Sequence, residues 1–115
     1  MVKVMNSSES SMPDNCQIII FGRLFKQGLS SVVSGSRYVN IETIGQDCLE
    51  FSTTRKSHRI VAPQNCKVAW SLDSKIVRKI LKIKGIDWNN QCFILRQGNQ
   101  MWFLMGYKVL EIEIV

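Results

Sequence analysis

The sequence has one histidine, His58, and no close pair of cysteines. Cys16, Cys48, Cys66 and Cys92 lie 32, 18 and 26 residues apart, whereas zinc ligation uses ligands separated by about two to four residues. Each cysteine sits in or beside an apolar run, where a reduced thiol packs as a small hydrophobe. Neither a disulfide nor a metal site is expected. Long hydrophobic runs are also missing: Ile18 to Phe21 and Met101 to Met105 fall far short of the roughly 20 residues needed to span a bilayer. The N-terminal Met1-Val2-Lys3-Val4-Met5 lacks the continuous apolar core of a signal peptide, so a cytoplasmic protein is expected. Acids are few, nine in all, with no close carboxylate pair or histidine partner for acid and base chemistry. An enzyme is not expected. There is no internal repeat.

What is present suits one globular domain: 115 residues with 45% hydrophobic and 21% charged content, enough to bury a core. Residues 1 to 15 are polar, serine-rich and close on Pro13-Asp14-Asn15, which reads as a flexible arm preceding a domain over 16 to 115. Strand-length apolar runs follow at Gln17 to Phe21, Leu24 to Val33, Arg37 to Thr43, Cys48 to Thr54 and Lys67 to Leu72. Ile76 to Trp88, rich in isoleucine and lysine, is taken as a further strand, and Asn89-Asn90 as a turn into Cys92 to Arg96. The tail Val109 to Val115 alternates as a strand does. Residues 100 to 108 are apolar all round, and periodicity leaves helix or strand open. The expected class is all-β, a small antiparallel barrel of six or seven strands closed on itself, with room for a short C-terminal helix.

Charge is unevenly spread. Between Arg55 and Arg96 ten basic residues face two acids, Asp73 and Asp87. Arg55, Arg59, Arg78, Lys82 and Lys84 are the candidate basic surface, with a solvated strand face as the plain alternative. Trp70, Trp88, Phe93, Trp102 and Tyr107 are candidate contact anchors or core residues. The stretch Asn40-Ile41-Glu42-Thr43-Ile44-Gly45 and the later Gly85-Ile86-Asp87-Trp88 together resemble the PilZ domain family over roughly residues 16 to 97. The resemblance implies a six-stranded barrel and, in many members, cyclic di-GMP binding through an Asp/Asn-x-Ser-x-x-Gly loop and a preceding Arg-x-x-x-Arg pair. Arg23, Arg37, Asn40, Glu42 and Gly45 are the site residues it implies. Two departures disfavour that ligand: Arg23 and Arg37 lack the pair's spacing, and Glu42 puts an acceptor-only carboxylate where the family has a hydroxyl. The expected function is therefore a non-catalytic PilZ-like adaptor, or a degenerate cyclic di-GMP receptor, acting on a protein partner. The alternative is a small-barrel nucleic-acid binder using the basic Arg55 to Lys84 surface.

Overall fold

A computed structural model describes residues 2–6, 17–34, 36–64, 66–106 and 108–113. Nine strands and two helices occur among them, in the order β1 (Val2–Asn6), β2 (Ile18–Phe21), α1 (Gly22–Val32), β3 (Tyr38–Ile44), β4 (Cys48–Ser52), β5 (Ser57–Val61), β6 (Ala69–Asp73), α2 (Ser74–Lys82), β7 (Gln91–Gln97), β8 (Gln100–Met105) and β9 (Lys108–Glu113). The strands form two antiparallel sheets, ordered β1-β9-β8-β7-β2 and β5-β4-β3-β6. No helix of the described residues is long and apolar enough to cross a membrane.

The β-rich character expected from the sequence is observed, but the closed barrel of six or seven strands is not. Most of Leu24 to Val33 and the start of Ile76 to Trp88 are helical, whereas the tail expected as a strand is β9 and the stretch left open between helix and strand holds β8. In α1 the buried residues Phe25, Leu29 and Val32 recur at helical spacing, while Arg23, Lys26, Gln27 and Ser30 take the exposed side. In α2 Val77 and Ile80 are buried with Ile76 and Leu81 against them, and Lys75, Arg78, Lys79 and Lys82 are exposed. Asp73 opens α2 by accepting the Lys75 backbone N–H at 2.8 Å, which satisfies one of the donors a helix start leaves over. The expected N-terminal arm is also revised in part, because Val2–Asn6 pairs with β9 along its length. The remainder of the arm lies outside the described residues.

Chain order reveals a repeat that side chains do not. β2-α1-β3-β4-β5 and β6-α2-β7-β8-β9 are the same strand–helix–three-strand unit, and each unit lends its first strand to the other's sheet: β2 pairs with β7, β6 with β3. Both helices begin directly off that exchanged strand. The first helical N–H of each unit donates to the residue just before the other unit's next strand, Gly22 to Asn90 O at 2.9 Å and Ser74 to Arg37 O at 2.8 Å. The exchange makes one core of two half-units. Phe25 of α1 meets Phe51 of the four-stranded sheet edge-on at 5.7 Å and Phe103 of the five-stranded sheet at 5.3 Å.

The outer edge of β2 is also occupied. The Gln64 side chain accepts the Ile19 N–H at 2.9 Å and donates to the Ile19 carbonyl at 2.7 Å, standing in for a neighbouring strand and limiting edge pairing.

Candidate nucleic-acid interface

The amphipathic spacing that buries α1 and α2 sets their outer faces. Arg23 and Lys26 on α1, and Lys75, Arg78, Lys79 and Lys82 on α2, are all exposed, and neither helix contains an acidic residue. On α2 the four cations fall at i, i+3, i+4 and i+7, one stripe about 10 Å long. The helices are neighbours. The Arg78 guanidinium donates to the Val33 carbonyl at the end of α1, 3.5 Å away, and the Lys26 ammonium lies 5.6 Å from the centre of the half-buried Trp88 ring. The exposed hydroxyl of Ser30 bonds back to the Lys26 carbonyl at 2.7 Å, so the uncharged part of this face is polar as well.

The residues expected to form one basic surface are divided between faces. Arg78 and Lys82 belong to the helical face, and Lys84 follows in the loop after α2. Arg55 is in the β4–β5 turn, and Arg59 is on the solvent side of β5, bound to Glu50 of β4 at 2.7 Å. That hydrogen bond, with the Glu50 charge, holds the Arg59 guanidinium above its ordinary pKa. Arg59 is thus spent on a carboxylate that also stands in register with Glu42 of β3, where two like charges would otherwise face each other. The sequence reading grouped cations by proximity along the chain. The helical period at 75, 78, 79 and 82, and the two α1 cations it leaves beside them, is the signal that assembles the actual face.

The residues implied by the PilZ resemblance are spread out. Arg23 is on α1, Arg37 just precedes β3, and Asn40 and Glu42 lie on the exposed side of β3. Gly45, at φ +62°, forms the tight turn to β4. Five residues of extended chain place Asn40 and Gly45 roughly 17 Å apart. They line separate hollows, Asn40 one with Arg37 and Arg55, and Gly45 one with Gln64 and Lys67.

The aromatic candidates are mostly structural. Trp70 is buried, Phe93 half-buried, and Trp102 half-buried with its indole N–H donating to Glu111 Oε2 at 3.2 Å. Tyr107 lies outside the described residues. Of the cysteines, Cys92 is buried, Cys48 half-buried and Cys66 exposed; Cys66 therefore departs from the expected apolar packing. Cys16 lies outside the described residues. Among the described residues no three His, Cys, Asp or Glu side chains are grouped to hold a metal ion.

No protein-family model matches the chain, and no characterised protein matches it in sequence. Its fold has solved counterparts. A protein described as a DNA polymerase III beta subunit from Eubacterium rectale superposes with a TM-score of 0.69 at 13% identity, over 95% of this chain and 33% of its own. The DNA polymerase III beta chain of Streptococcus pneumoniae superposes with a TM-score of 0.70 at 10% identity, over 93% of this chain and 32% of its own. The chain thus has a fold found in DNA polymerase III beta subunits and spans about a third of the length of those two proteins.

Proposed function

We propose that this chain is a non-catalytic nucleic-acid-binding module that lays the outer face of α1 and α2 along a sugar-phosphate backbone. The observation carrying this reading is the pair of adjacent helices presenting six cations and no carboxylate. Such a face recognises polyanions by charge and counterion release, which gives affinity without base readout. Its other exposed side chains, Gln27 and Ser30, are hydrogen-bonding groups suited to phosphate and sugar contacts. The names of the two structural counterparts, both DNA polymerase III beta subunits, accord with a place beside DNA.

The test is a fluorescence-anisotropy titration of a duplex of about 16 base pairs between 50 and 200 mM salt. Binding should be independent of sequence and fall steeply with salt, with a log–log slope of about −3.6 to −5.4 for about four to six neutralised phosphates. The double variant Arg78→Ala with Lys82→Ala should flatten that slope by about 2. No binding at 50 mM salt, or an unchanged slope in the double variant, contradicts the proposal.

A second reading, the protein-contact adaptor, draws on edge strand β5, whose Val61 is 75% exposed. An unpaired edge beside an apolar side chain suits strand addition by a partner. It is secondary because it rests on one side chain. Cyclic di-GMP has less support still, since Asn40 within β3 and Gly45 in the turn after it line separate hollows.

A further inference from the structure

We propose that the groove at the start of β3 is a binding site for a phosphate-bearing nucleotide, with the phosphate held between Arg37 and Arg55. The groove has a volume of about 410 Å³ and is lined by Arg37, Tyr38, Asn40, Thr54, Arg55 and Ser71, among others. That volume is in the range of small-ligand sites. Every functional group named is a hydrogen-bond donor or can act as one, and none is an acid. Arg59 is paired with Glu50, whereas among the described residues no carboxylate is in an ion pair with Arg37 or Arg55. Asp73, the carboxylate in register with Tyr38, is engaged as the cap of α2.

Both arginines are carried on backbone that is already fixed. The Arg37 carbonyl accepts the Ser74 N–H at 2.8 Å, and Ser36 Oγ donates to the Tyr38 carbonyl at 3.2 Å. The Arg37 guanidinium lies 5.3 Å from the centre of the Tyr38 ring, a stacking that restrains it at the mouth of the groove. On the opposite wall, Thr53 Oγ1 accepts the N–H groups of Arg55 at 3.3 Å and Lys56 at 3.2 Å, while the Thr53 N–H donates to the Lys56 carbonyl at 2.8 Å. Two guanidinium groups lining one hollow can each offer a phosphate a forked pair of hydrogen bonds. Tyr38, 46% exposed, supplies ring surface for a base, and Asn40 and Ser71, cross-strand partners on adjacent strands, offer hydrogen bonds to a sugar or base edge.

The phosphate can belong to a free nucleotide or to the end of a strand, and one set of titrations on the full chain separates these. Calorimetry with dAMP should show binding, and deoxyadenosine should bind at least tenfold more weakly. Arg37→Ala and Arg55→Ala should each reduce dAMP affinity at least tenfold, while Arg55→Lys retains part of it. A 5′-phosphorylated pentathymidylate binding more tightly than both dAMP and its 5′-hydroxyl counterpart identifies a strand end; dAMP binding as tightly identifies a free nucleotide, and either result supports the site. Equal affinity for dAMP and deoxyadenosine overturns it, as does indifference to both arginine variants. Because the groove shares no residue with the helical face, Arg78→Ala with Lys82→Ala should leave dAMP affinity within twofold. Loss of dAMP binding in that variant would overturn the groove assignment while supporting the helical one.

Discussion

Gly28 and Gly45 are two glycines kept for opposite reasons. A Cβ on Gly28 would stand 2.5 Å from two carbons of the Phe51 ring, at the helix–sheet contact. A Cβ on Gly45 would meet nothing, but the residue holds φ +62°. Alanine at 28 gains about 1 kcal/mol of helix propensity and loses about 1–3 kcal/mol to overpacking in the core; since the obstacle is a buried ring wedged against Phe25 and cannot easily yield, we expect net destabilisation. Alanine at 45 should cost about 1 kcal/mol through backbone conformation alone. Asparagine, which tolerates the left-handed region, should recover much of that loss at 45 but worsen the loss at 28. Urea denaturation of the four variants checks this; equal stability of Gly28→Ala and wild type would show that the helix moves away from Phe51. The turn at Gly45 was legible in sequence because a glycine between the β-branched run ending at Ile44 and the apolar-polar alternation of Cys48 to Phe51 marks it. The role of Gly28 was not, since its partner is 23 positions away.

At the scale of elements, the β3–β4 hairpin was readable nearly to its ends: Arg37 to Thr43 and Cys48 to Thr54 were expected, and Tyr38–Ile44 and Cys48–Ser52 are found. The helices were obscured by composition. Serine, glycine, valine and isoleucine fill much of α1 and α2, and these residues are weak helix formers, so short windows looked like strands. The spacing of Phe25, Leu29 and Val32, and of the α2 cations, carried the contrary signal, and tertiary burial of those apolar stripes decides the outcome. Asp73 is the local device that commits α2 to start where β6 ends. Asp73→Ala should cost about 1 kcal/mol, and Asp73→Ser should restore most of it, read as the urea midpoint at constant slope. If both variants were as stable as wild type, the cap would contribute nothing and packing alone would place the helix. The arm was misread at Val2–Asn6 because its pairing with β9 spans almost the whole chain, and five residues with a serine-rich sequel give no local sign of a partner.

The architecture of the whole molecule was the least legible. Exchange of β2 and β6 between two like units leaves no mark in residue identity, because each position needs only an apolar side chain of fitting size, and many sequences supply that. A count of strands therefore pointed to a closed barrel, while the exchange builds two sheets sharing one core. The same topology gathers the two helices, 52 positions apart at their first residues, into one cationic face. Sequence proximity had joined two of those cations, Arg78 and Lys82, to Arg55 and Arg59, which lie elsewhere. Whether that face is where nucleic acid lies can be read residue by residue. In a nitrogen-15 correlation spectrum recorded at 50 mM salt, adding a short duplex should shift the amide signals of Arg23, Lys26, Lys75, Arg78, Lys79 and Lys82, and leave those of Glu50, Arg59 and Trp102 on the sheets unchanged. Shifts concentrated on the sheet residues, or no shifts at saturating duplex, would contradict the helical interface.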